Sequence, residues 1–353
     1  MAAESKKFKK TVYSLCMLVL AAMLIVGCSG GNTGNQSGGS SGASNAQSGS
    51  NQGSSGNDNS YHFIYVGKLV HPWYEKIATG VNDAVEEYKA QGINIKAEWD
   101  YPPQADVVMQ TEKIEAALAK NPDAIAIAVL DEASQASVIN NAIDQGKKVI
   151  TFDSDAPSSK RIAFVGNNRT REDGAALAEL MAEKMNYEGE IALLIGSISA
   201  PTHILRVEGF KEVMAKYPNI KIVTEQADND DLQKSVQLTE SILQAHPNIK
   251  GIFGNNATNV IGAGQVVKNA GKAGQILVTG IGDMPETIAL IEDGAVTAVM
   301  AEDLYGQGYN SVKFLLDLAQ GKEVPEMYQA DSFMITKDLL DEYYQRAGAS
   351  KPK

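Results

Sequence analysis

Ala-Ile-Ala-Ile-Ala-Val, residues 124–129, is apolar at every position. A strand that is apolar on both faces is typical of a parallel sheet covered by helices on both sides. Residues 63–66 form another short apolar run, and apolar side chains then recur at helical spacing between residues 77 and 88. Strands that alternate with helices at this distance indicate βαβ units.

The same alternation continues along most of the chain. Further strands are predicted at residues 93–99, 148–152, 190–195, 220–224, 251–254, 276–280 and 297–301, with helices between them. This number of strands exceeds one comfortable open sheet, so we expect the chain to divide them between two sheets. The predicted fold class is α/β, with two doubly wound parallel-sheet lobes.

The N-terminal segment has the features of an export signal. Four lysines lie within residues 1–10, and residues 12–26 form an apolar run that is short for a membrane span. The sequence Ile-Val-Gly-Cys at residues 25–28 resembles a bacterial lipobox, in which the cysteine is acylated. We therefore expect residues 1–27 to be a lipoprotein signal peptide and Cys28 to be lipidated, which places the protein on the outer face of the cell membrane. An ordinary signal peptide or an uncleaved anchor are the alternatives.

Residues 28–60 are predicted to be a disordered tether. After Cys28 this segment contains no Lys or Arg and consists mainly of Gly, Ser, Asn and Gln. Such a segment buries too little apolar surface to offset its conformational entropy. A Gly/Ser-rich chain of this length has an r.m.s. reach of roughly 30 Å.

Charge and cysteine content exclude several classes of function. The chain carries a formal charge of −12 over 353 residues, and the first 27 residues carry +3, so the remainder carries −15. An acidic body argues against nucleic-acid binding, which requires Lys and Arg at the phosphates. The two cysteines are Cys16 and Cys28, so after signal cleavage we expect neither a disulfide nor a cysteine nucleophile.

Polar and aromatic residues follow the predicted strands. Because ligands of open α/β sheets bind beyond the carboxyl ends of the strands, these residues are the candidates for a binding site. The candidates are His71, Trp73, Tyr74, Asp153, Ser154, Arg206, Asn256 and Glu302, with Asp228, Asp283 and His203 as weaker ones. Each has a structural alternative: core packing for the aromatic residues, a helix cap for Asp153 and Asn256, a surface ion pair for Arg206, and a solvated loop for the weaker candidates.

These residues and their order resemble the ribose-binding-protein group of type I periplasmic sugar-binding proteins, the solute receptors of ABC importers. The resemblance runs from residue 61 to about 345. It is carried by His-Pro-Trp-Tyr at residues 71–74, Asp153 within Thr-Phe-Asp-Ser-Asp at residues 151–155, and Arg-Val-Glu-Gly-Phe at residues 206–210. Val-Gly-Asn-Asn at residues 165–168, followed by Gly174, matches the first crossover of the family.

The resemblance implies two lobes joined by a three-segment hinge, with the ligand enclosed between them. Residues 61–167 and 303–328 would form the N-terminal lobe. Residues 168–302 and 329–345 would form the C-terminal lobe, and residues 346–353 a tail. The hinge is expected near Asn167, residues 302–303 and Tyr328. The implied partner is an ABC transporter permease, and the protein is expected to be a monomer.

Two departures from the family pattern lie at the expected ligand. Gly282 stands where the family has Asp, which shifts Asp283 by one residue, and Glu302 stands where a Gln is common. The ligand therefore cannot be carried over from ribose. Carboxylates accept sugar hydroxyls and aromatic rings cover the apolar C–H face. Since the acidic candidates outnumber Arg206, a neutral monosaccharide or polyol is expected, and a cationic ligand stays open.

Enzyme functions find little support in the sequence. No nucleophile elbow or phosphate-binding loop follows a predicted strand, and the four histidines lack metal-site spacing. We expect a protein that is not an enzyme and has neither a metal nor a cofactor. Three alternatives use similar residues: a glycosidase, which also has paired carboxylates; a sensor that presents a sugar to a membrane kinase; and an autoinducer-2 receptor, which shares the Asp-Ser-Asp run. A repressor sensor domain would need a DNA-binding domain where the signal peptide stands.

Overall fold

The structure, a computed structural model, describes residues 59–346. The predicted signal peptide, the lipidation site Cys28 and all but the last two residues of the predicted tether lie outside the described residues, as does the tail after Arg346. The first strand begins at Ser60, so the tether prediction extends one residue into the fold. Within the described range, none of the helices is both long and apolar enough to cross a membrane.

The first sheet contains six parallel strands. They lie in the order β11-β5-β4-β3-β1-β2. Their bounds are β1 Ser60–Val66, β2 Asn94–Asp100, β3 Ala124–Ile127, β4 Val149–Phe152, β5 Ala163–Gly166 and β11 Met327–Gln329. The helices packed on this sheet are α1 Trp73–Ala90, α2 Val107–Ala119, α3 Glu132–Asp144 and α9 Leu304–Ala319.

The second sheet repeats this order. Its six strands lie in the order β12-β10-β9-β8-β6-β7, and β12 is antiparallel to β10. The strands are β6 Gly189–Ile195, β7 Ile220–Ala227, β8 Ile249–Gly254, β9 Leu277–Ile281, β10 Ala298–Glu302 and β12 Ser332–Thr336. The helices are α4 Thr170–Lys184, α5 Pro201–Met214, α6 Leu232–Ala245, α7 Ala257–Asn269, α8 Pro285–Glu292 and α10 Leu340–Arg346, with a 3-10 turn at Lys337–Leu339. The prediction of two doubly wound lobes is confirmed.

Both faces of each sheet are buried, as the apolar runs predict. In β1, Phe63 and Tyr65 pack in the core that includes α1 and α9, whereas Ile64 and Val66 pack with α2 and α3. The four side chains are 0% exposed. Alternate residues of a strand point to opposite faces, so each lobe is a three-layer α/β/α sandwich.

Close helix crossings fix the helices that carry the candidate site. A Cβ atom on Gly308 of α9 would lie 1.9 Å from the carbonyl oxygen of Ile77 in α1. A Cβ atom on Gly174 of α4 would lie 2.0 Å from the carbonyl oxygen of Arg206 in α5. Only glycine allows the backbones to approach so closely, and the two crossings hold α1 and α5 at the edges of the space between the lobes.

The chain passes between the lobes three times. The crossings follow β5, β10 and β11, and they are joined to one another by hydrogen bonds. The backbone N–H of Asp303 donates to the carbonyl of Asp331 at 2.9 Å, and Gln329 Nε2 donates to Asn167 Oδ1 at 3.1 Å. Tyr328 lies within β11, which ends at Gln329, so the third crossing follows directly after these residues. The residue-level lobe boundaries remain a proposal.

Candidate ligand-binding site

A cavity lies between the two lobes, beyond the carboxyl ends of their strands. Its empty volume is about 420 Å³, including the part open to solvent at its mouth. The N-terminal lobe contributes Lys68, Leu69, His71, Trp73, Tyr74 and Asp153; the C-terminal lobe contributes His203, Arg206, Asp230, Asn256, Ala257, Thr258 and Ile281.

Asp153 is the centre of the N-terminal wall. Its carboxylate accepts from Trp73 Nε1 at 2.9 Å on Oδ1 and from the Tyr74 hydroxyl at 3.2 Å on Oδ2, and Lys68 Nζ lies 3.0 Å from Oδ2. A carboxylate has about four acceptor positions, so the protein itself occupies three of them. One position remains, and the main effect of Asp153 is to orient its three donors.

The backbone turns sharply at Asp153 to bring the carboxylate into the cavity. Asp153 follows β4 directly and has a φ of 59°. Asp tolerates this left-handed conformation better than most residues, and such strain is often found at functional sites. A helix cap is the structural alternative for Asp153, but no helix begins there: the next helix is α4 at Thr170.

His71 presents a hydrogen-bond donor to the cavity. The backbone N–H of Trp73, at the start of α1, donates to His71 Nδ1 at 3.0 Å, so the neutral ring carries its proton on Nε2. Burial lowers the pKa of His71 to about 4, and the ammonium of Lys68 adds to this shift while Asp153 opposes it. The ring is therefore neutral at physiological pH.

The two aromatic candidates have different environments, although both line the cavity. Tyr74 is 2% exposed and its ring packs within 5.4–6.4 Å of the rings of Tyr101, Phe152 and Trp99. Trp73 reaches across the cleft, where a Cβ atom on Gly282 would lie 3.4 Å from its ring. Tyr74 is thus a core residue that offers its hydroxyl, and Trp73 is the aromatic residue that reaches the opposite lobe.

Arg206 lies in the C-terminal wall and is held by two partners behind the cavity. Nη1 donates to the carbonyl of Asn255 at 3.2 Å, and Nη2 donates to the carboxylate of Glu302. Among the described residues Nε has no partner although the side chain is buried. Glu302 does not line the cavity. Its role in this geometry is to orient and neutralise Arg206.

His203, one of the weaker candidates, lines the cavity. Its Nδ1 lies 3.0 Å from the backbone nitrogen of Ser197 and 3.2 Å from the carbonyl oxygen of the same residue, so Nδ1 accepts from the N–H in one tautomer and donates to the carbonyl in the other. Burial lowers the pKa of His203 well below its usual value, and the nearby Lys68 and Arg206 contribute in the same direction. A second neutral imidazole therefore lines the cavity, and its Nε2 is a donor or an acceptor according to the tautomer.

Asp230, and not Asp228, faces the cavity. Asn229 and Asp230 have φ values of 58° and 62°, and this double left-handed turn brings Asp230 to the wall. Asp228 is 0% exposed and accepts from Asn259 Nδ2 at 2.5 Å and from the backbone N–H of Asp230 at 2.9 Å. Burial, reinforced by the negative charge of Asp230, raises the pKa of Asp228 to about 7. The sequence expectation for Asp228 is corrected accordingly.

Asn256 combines both of its predicted roles. It is the N-cap of α7, where Oδ1 accepts from the backbone N–H of Asn259 at 2.8 Å and from the Thr258 hydroxyl at 2.9 Å. Its Nδ2 donates to Asp230. Asn256 therefore positions the carboxylate of Asp230, a residue that was not among the candidates predicted from the sequence.

Two further candidates lie outside the cavity lining. Ser154 is fully buried behind Asp153. Asp283 is turned towards α1 and α10: its Oδ1 lies 2.8 Å from Lys76 Nζ, and its Oδ2 accepts from the Tyr343 hydroxyl at 3.1 Å. The one-residue shift relative to the family pattern thus makes Asp283 a contact between the lobes.

Lys68 was missed by sequence reasoning. It lies two residues after β1 in the loop that also carries the aromatic candidates, but a loop lysine is normally solvated. Here it is 8% exposed. The sequence signal that could have identified Lys68 was its position two residues after the predicted strand. No group of three or more His, Cys, Asp or Glu residues within residues 59–346 could hold a metal ion.

The fold and the cleft are those of a two-lobed binding protein, and comparison with known proteins agrees. The family model described as a periplasmic binding protein domain matches residues 64–323. The chain belongs to this family, which confirms the resemblance found in the sequence.

Several characterised relatives are similar over most of their length. The D-allose-binding periplasmic protein of Escherichia coli K12 is 28% identical over 280 residues, covering 77% of this chain and 88% of the relative. The ribose import binding protein RbsB of Bacillus subtilis is 25% identical over 277 residues, covering 78% and 87%. These relatives are binding proteins and not enzymes, which confirms the expectation on enzyme activity.

A solved structure gives the same result. An ABC transporter solute-binding protein of Burkholderia graminis, in complex with D-arabinose, superimposes with a TM-score of 0.75 at 31% identity. The superposition covers 80% of this chain and 97% of that chain. The predicted type I periplasmic binding protein fold is thereby confirmed.

Proposed function

We propose that this protein is an extracytoplasmic solute-binding lipoprotein that captures a sugar or polyol between its two lobes and delivers it to an ABC importer. The observation that carries the proposal is the cavity between the lobes, because each lobe supplies about half of its polar lining. Relatives named for D-allose and ribose, and a similar solute-binding protein solved in complex with D-arabinose, support a monosaccharide ligand.

The lining suits a compact polyhydroxy ligand. A hydroxyl group both donates and accepts, so one sugar can accept from the N–H groups of His71 and Arg206, bond to Nε2 of His203 in either tautomer, and donate to Asp230. The remaining acceptor position on Asp153 can take one further hydroxyl. The ring of Trp73 would cover an apolar C–H face.

The lobes contact each other on two sides of the cleft. On one side Lys76 of α1 pairs with Asp283, and on the other the Ser199 hydroxyl donates to the carbonyl of Leu130 at 3.1 Å. A ligand that contacts both lobes favours this closed arrangement over an open one, since only the closed arrangement gives it all of its contacts.

A thermal-shift screen of pentoses, hexoses, polyols and inositols tests the ligand class. A ligand present at about 100 times its Kd stabilises the folded state by about 2.7 kcal/mol, which gives a clear rise in Tm. At least one monosaccharide or polyol should produce this rise. If none of the panel changes Tm at millimolar concentration, sugar binding is contradicted.

The proposal also includes a lipid anchor at Cys28 and an ABC transporter permease as the partner. Cys28 would carry the lipid, residues 29–59 would separate the folded domain from the membrane, and a monomeric receptor would dock on the permease. Replacing Cys28 by Ser should release the protein into the soluble fraction with its Tm unchanged. Retention of the Cys28→Ser protein in the membrane fraction would contradict lipid anchoring.

A further inference from the structure

The charges in the cavity are not fully paired. On the N-terminal side the ammonium of Lys68 pairs with Asp153 at 3.0 Å. On the C-terminal side the guanidinium of Arg206 pairs with Glu302. Besides these two pairs, the carboxylate of Asp230 is the remaining ionisable acid of the lining.

Asp230 has only neutral partners at contact distance among the described residues. Its Oδ1 accepts from the amide of Asn256 and lies 4.0 Å from Nε2 of His203. His203 is neutral, because burial disfavours its charged form. The side chain of Asp230 is 11% exposed, so water cannot fully solvate its charge.

Lys68 is the cation that acts on Asp230 from a distance, and it lowers the pKa of that carboxyl against the larger, opposite effect of burial. The same ammonium is already bonded to Asp153. One lysine thus serves two carboxylates, and with the Arg206–Glu302 pair the lining has one negative charge in excess. An uncompensated buried charge is unfavourable unless a ligand balances it.

We propose that Asp230 binds a cationic group of the ligand, so that the protein captures an amino sugar or an aminocyclitol. The inference rests on the proposed function and narrows its ligand class. An ammonium group donates to Asp230 in a charge-assisted hydrogen bond and balances the excess charge. The hydroxyls beside it form hydrogen bonds with Nε2 of His203 and with the guanidinium of Arg206, whose Nε has no protein partner among residues 59–346.

Neutral and negatively charged ligands fit the cavity lining less well than a cationic one. A neutral sugar offers Asp230 only a hydroxyl donor and leaves the excess charge in place. A phosphorylated or carboxylated sugar adds a second negative charge to a lining that is already negative. A hydroxyl also makes a charge-assisted hydrogen bond to a carboxylate, but only a protonated amine both donates to Asp230 and neutralises its charge.

Titration calorimetry of matched ligand pairs at pH 7 tests this. The pairs are glucosamine and glucose, galactosamine and galactose, mannosamine and mannose, and an inosamine and myo-inositol. N-acetylglucosamine, N-acetylgalactosamine and N-acetylmannosamine keep the nitrogen but remove its charge. In at least one pair the amino compound should bind at least about tenfold more tightly than both its neutral partner and, for the sugars, its N-acetyl form.

Asp230→Asn should remove this preference, so that in each pair the amino compound binds no more tightly than its neutral partner. Asp231→Asn is the matched control. Asp231 is the exposed N-cap of α6 and accepts from the backbone N–H of Lys234 at 2.9 Å. Asn caps helices equally well, so this variant loses one charge next to the cavity lining and should keep the amino preference.

The outcomes separate the two proposals. If neutral sugars bind as tightly as their amino counterparts, or if Asp230→Asn keeps the preference, the inference is overturned while sugar capture stands. If no compound of either series binds the parent, sugar capture fails and the inference fails with it. Should Asp230→Asn not fold, the N-acetyl comparison on the parent still decides.

Discussion

Replacing Asp153 by Asn should destabilise the fold as well as weaken ligand binding. Asn has nearly the same shape, so the change removes one charge and one acceptor oxygen and leaves the packing intact. The amide oxygen can still accept from Trp73 Nε1, which donates to Asp153 at 2.9 Å. The amide nitrogen then faces the ammonium of Lys68, which is 8% exposed and loses the carboxylate at 3.0 Å.

The magnitude follows from the burial of the pair. Removing one partner of a buried ion pair costs about 3–5 kcal/mol, because the other charge stays buried and uncompensated. The retained hydrogen bond to Trp73 places the expected loss near the lower end, about 3 kcal/mol. Ligand affinity should fall at least about tenfold, because Lys68 and Tyr74 are no longer held in position.

Urea unfolding of three variants measures this. Adding Lys68→Met to Asp153→Asn removes the unpaired ammonium, so the double variant should recover at least about 1 kcal/mol relative to Asp153→Asn alone. Asp144→Asn is the control, since it breaks the Lys160–Asp144 pair, whose side chains are 55% and 57% exposed. An exposed pair contributes at most about 1 kcal/mol. A parent-like unfolding midpoint for Asp153→Asn, or no recovery in the double variant, would refute the reasoning.

Three further predictions concern other parts of the cleft. The pKa of His71 falls from 6.5 to about 4 on folding, so the unfolded chain takes up the proton first as the pH drops. Between pH 6.5 and 4 the parent should therefore lose stability relative to His71→Gln. Equal pH profiles of the two proteins in urea unfolding would contradict this. Lys76→Met should weaken ligand binding by up to about fivefold at low salt, since the partly exposed Lys76–Asp283 pair favours closure. The control Lys89→Met, at the other end of α1, should have no effect on affinity. Equal affinities of the two variants would argue against a role of the Lys76–Asp283 pair in closure. Trp73→Ala should lower affinity about tenfold in calorimetry, because it removes an aromatic face and a donor to the central carboxylate; parent-like affinity would remove Trp73 from the binding site.

The architecture was predictable because it depends on long, regular patterns. Short continuous apolar runs such as residues 124–129 are typical of strands buried on both faces, and the helical spacing between them indicates crossover connections. Strands β11 and β12 were not predicted. They are short and largely not buried, so their sequences carry neither a continuous apolar run nor a clear alternation.

The candidate site was predictable where a residue follows a strand directly and not where a turn intervenes. Asp153 comes immediately after β4 and lines the cavity. Asp228 also follows its strand directly, but it does not line the cavity. The left-handed turn at the next two residues places Asp230 in the lining instead. Composition indicated an acid in this loop, and only the backbone conformation decides which acid faces the cavity.

Lys68 and Asp283 show a second limit. The charge of each is neutralised by a residue far away in sequence, Asp153 in one case and Lys76 in the other. Sequence patterns report local spacing and contain no information on such long-range pairs. The number of charges in the cavity, which decides the class of ligand, therefore required the three-dimensional structure.

Closure of the two lobes around a ligand is the central claim, and small-angle X-ray scattering tests it most directly. The radius of gyration of the protein would be compared without ligand and with a saturating concentration of the best ligand from the screen. Since the ligand contacts both lobes, the bound form should have a smaller radius of gyration than the free form. An unchanged radius of gyration at saturation, with binding confirmed in the same sample, would contradict a hinged receptor.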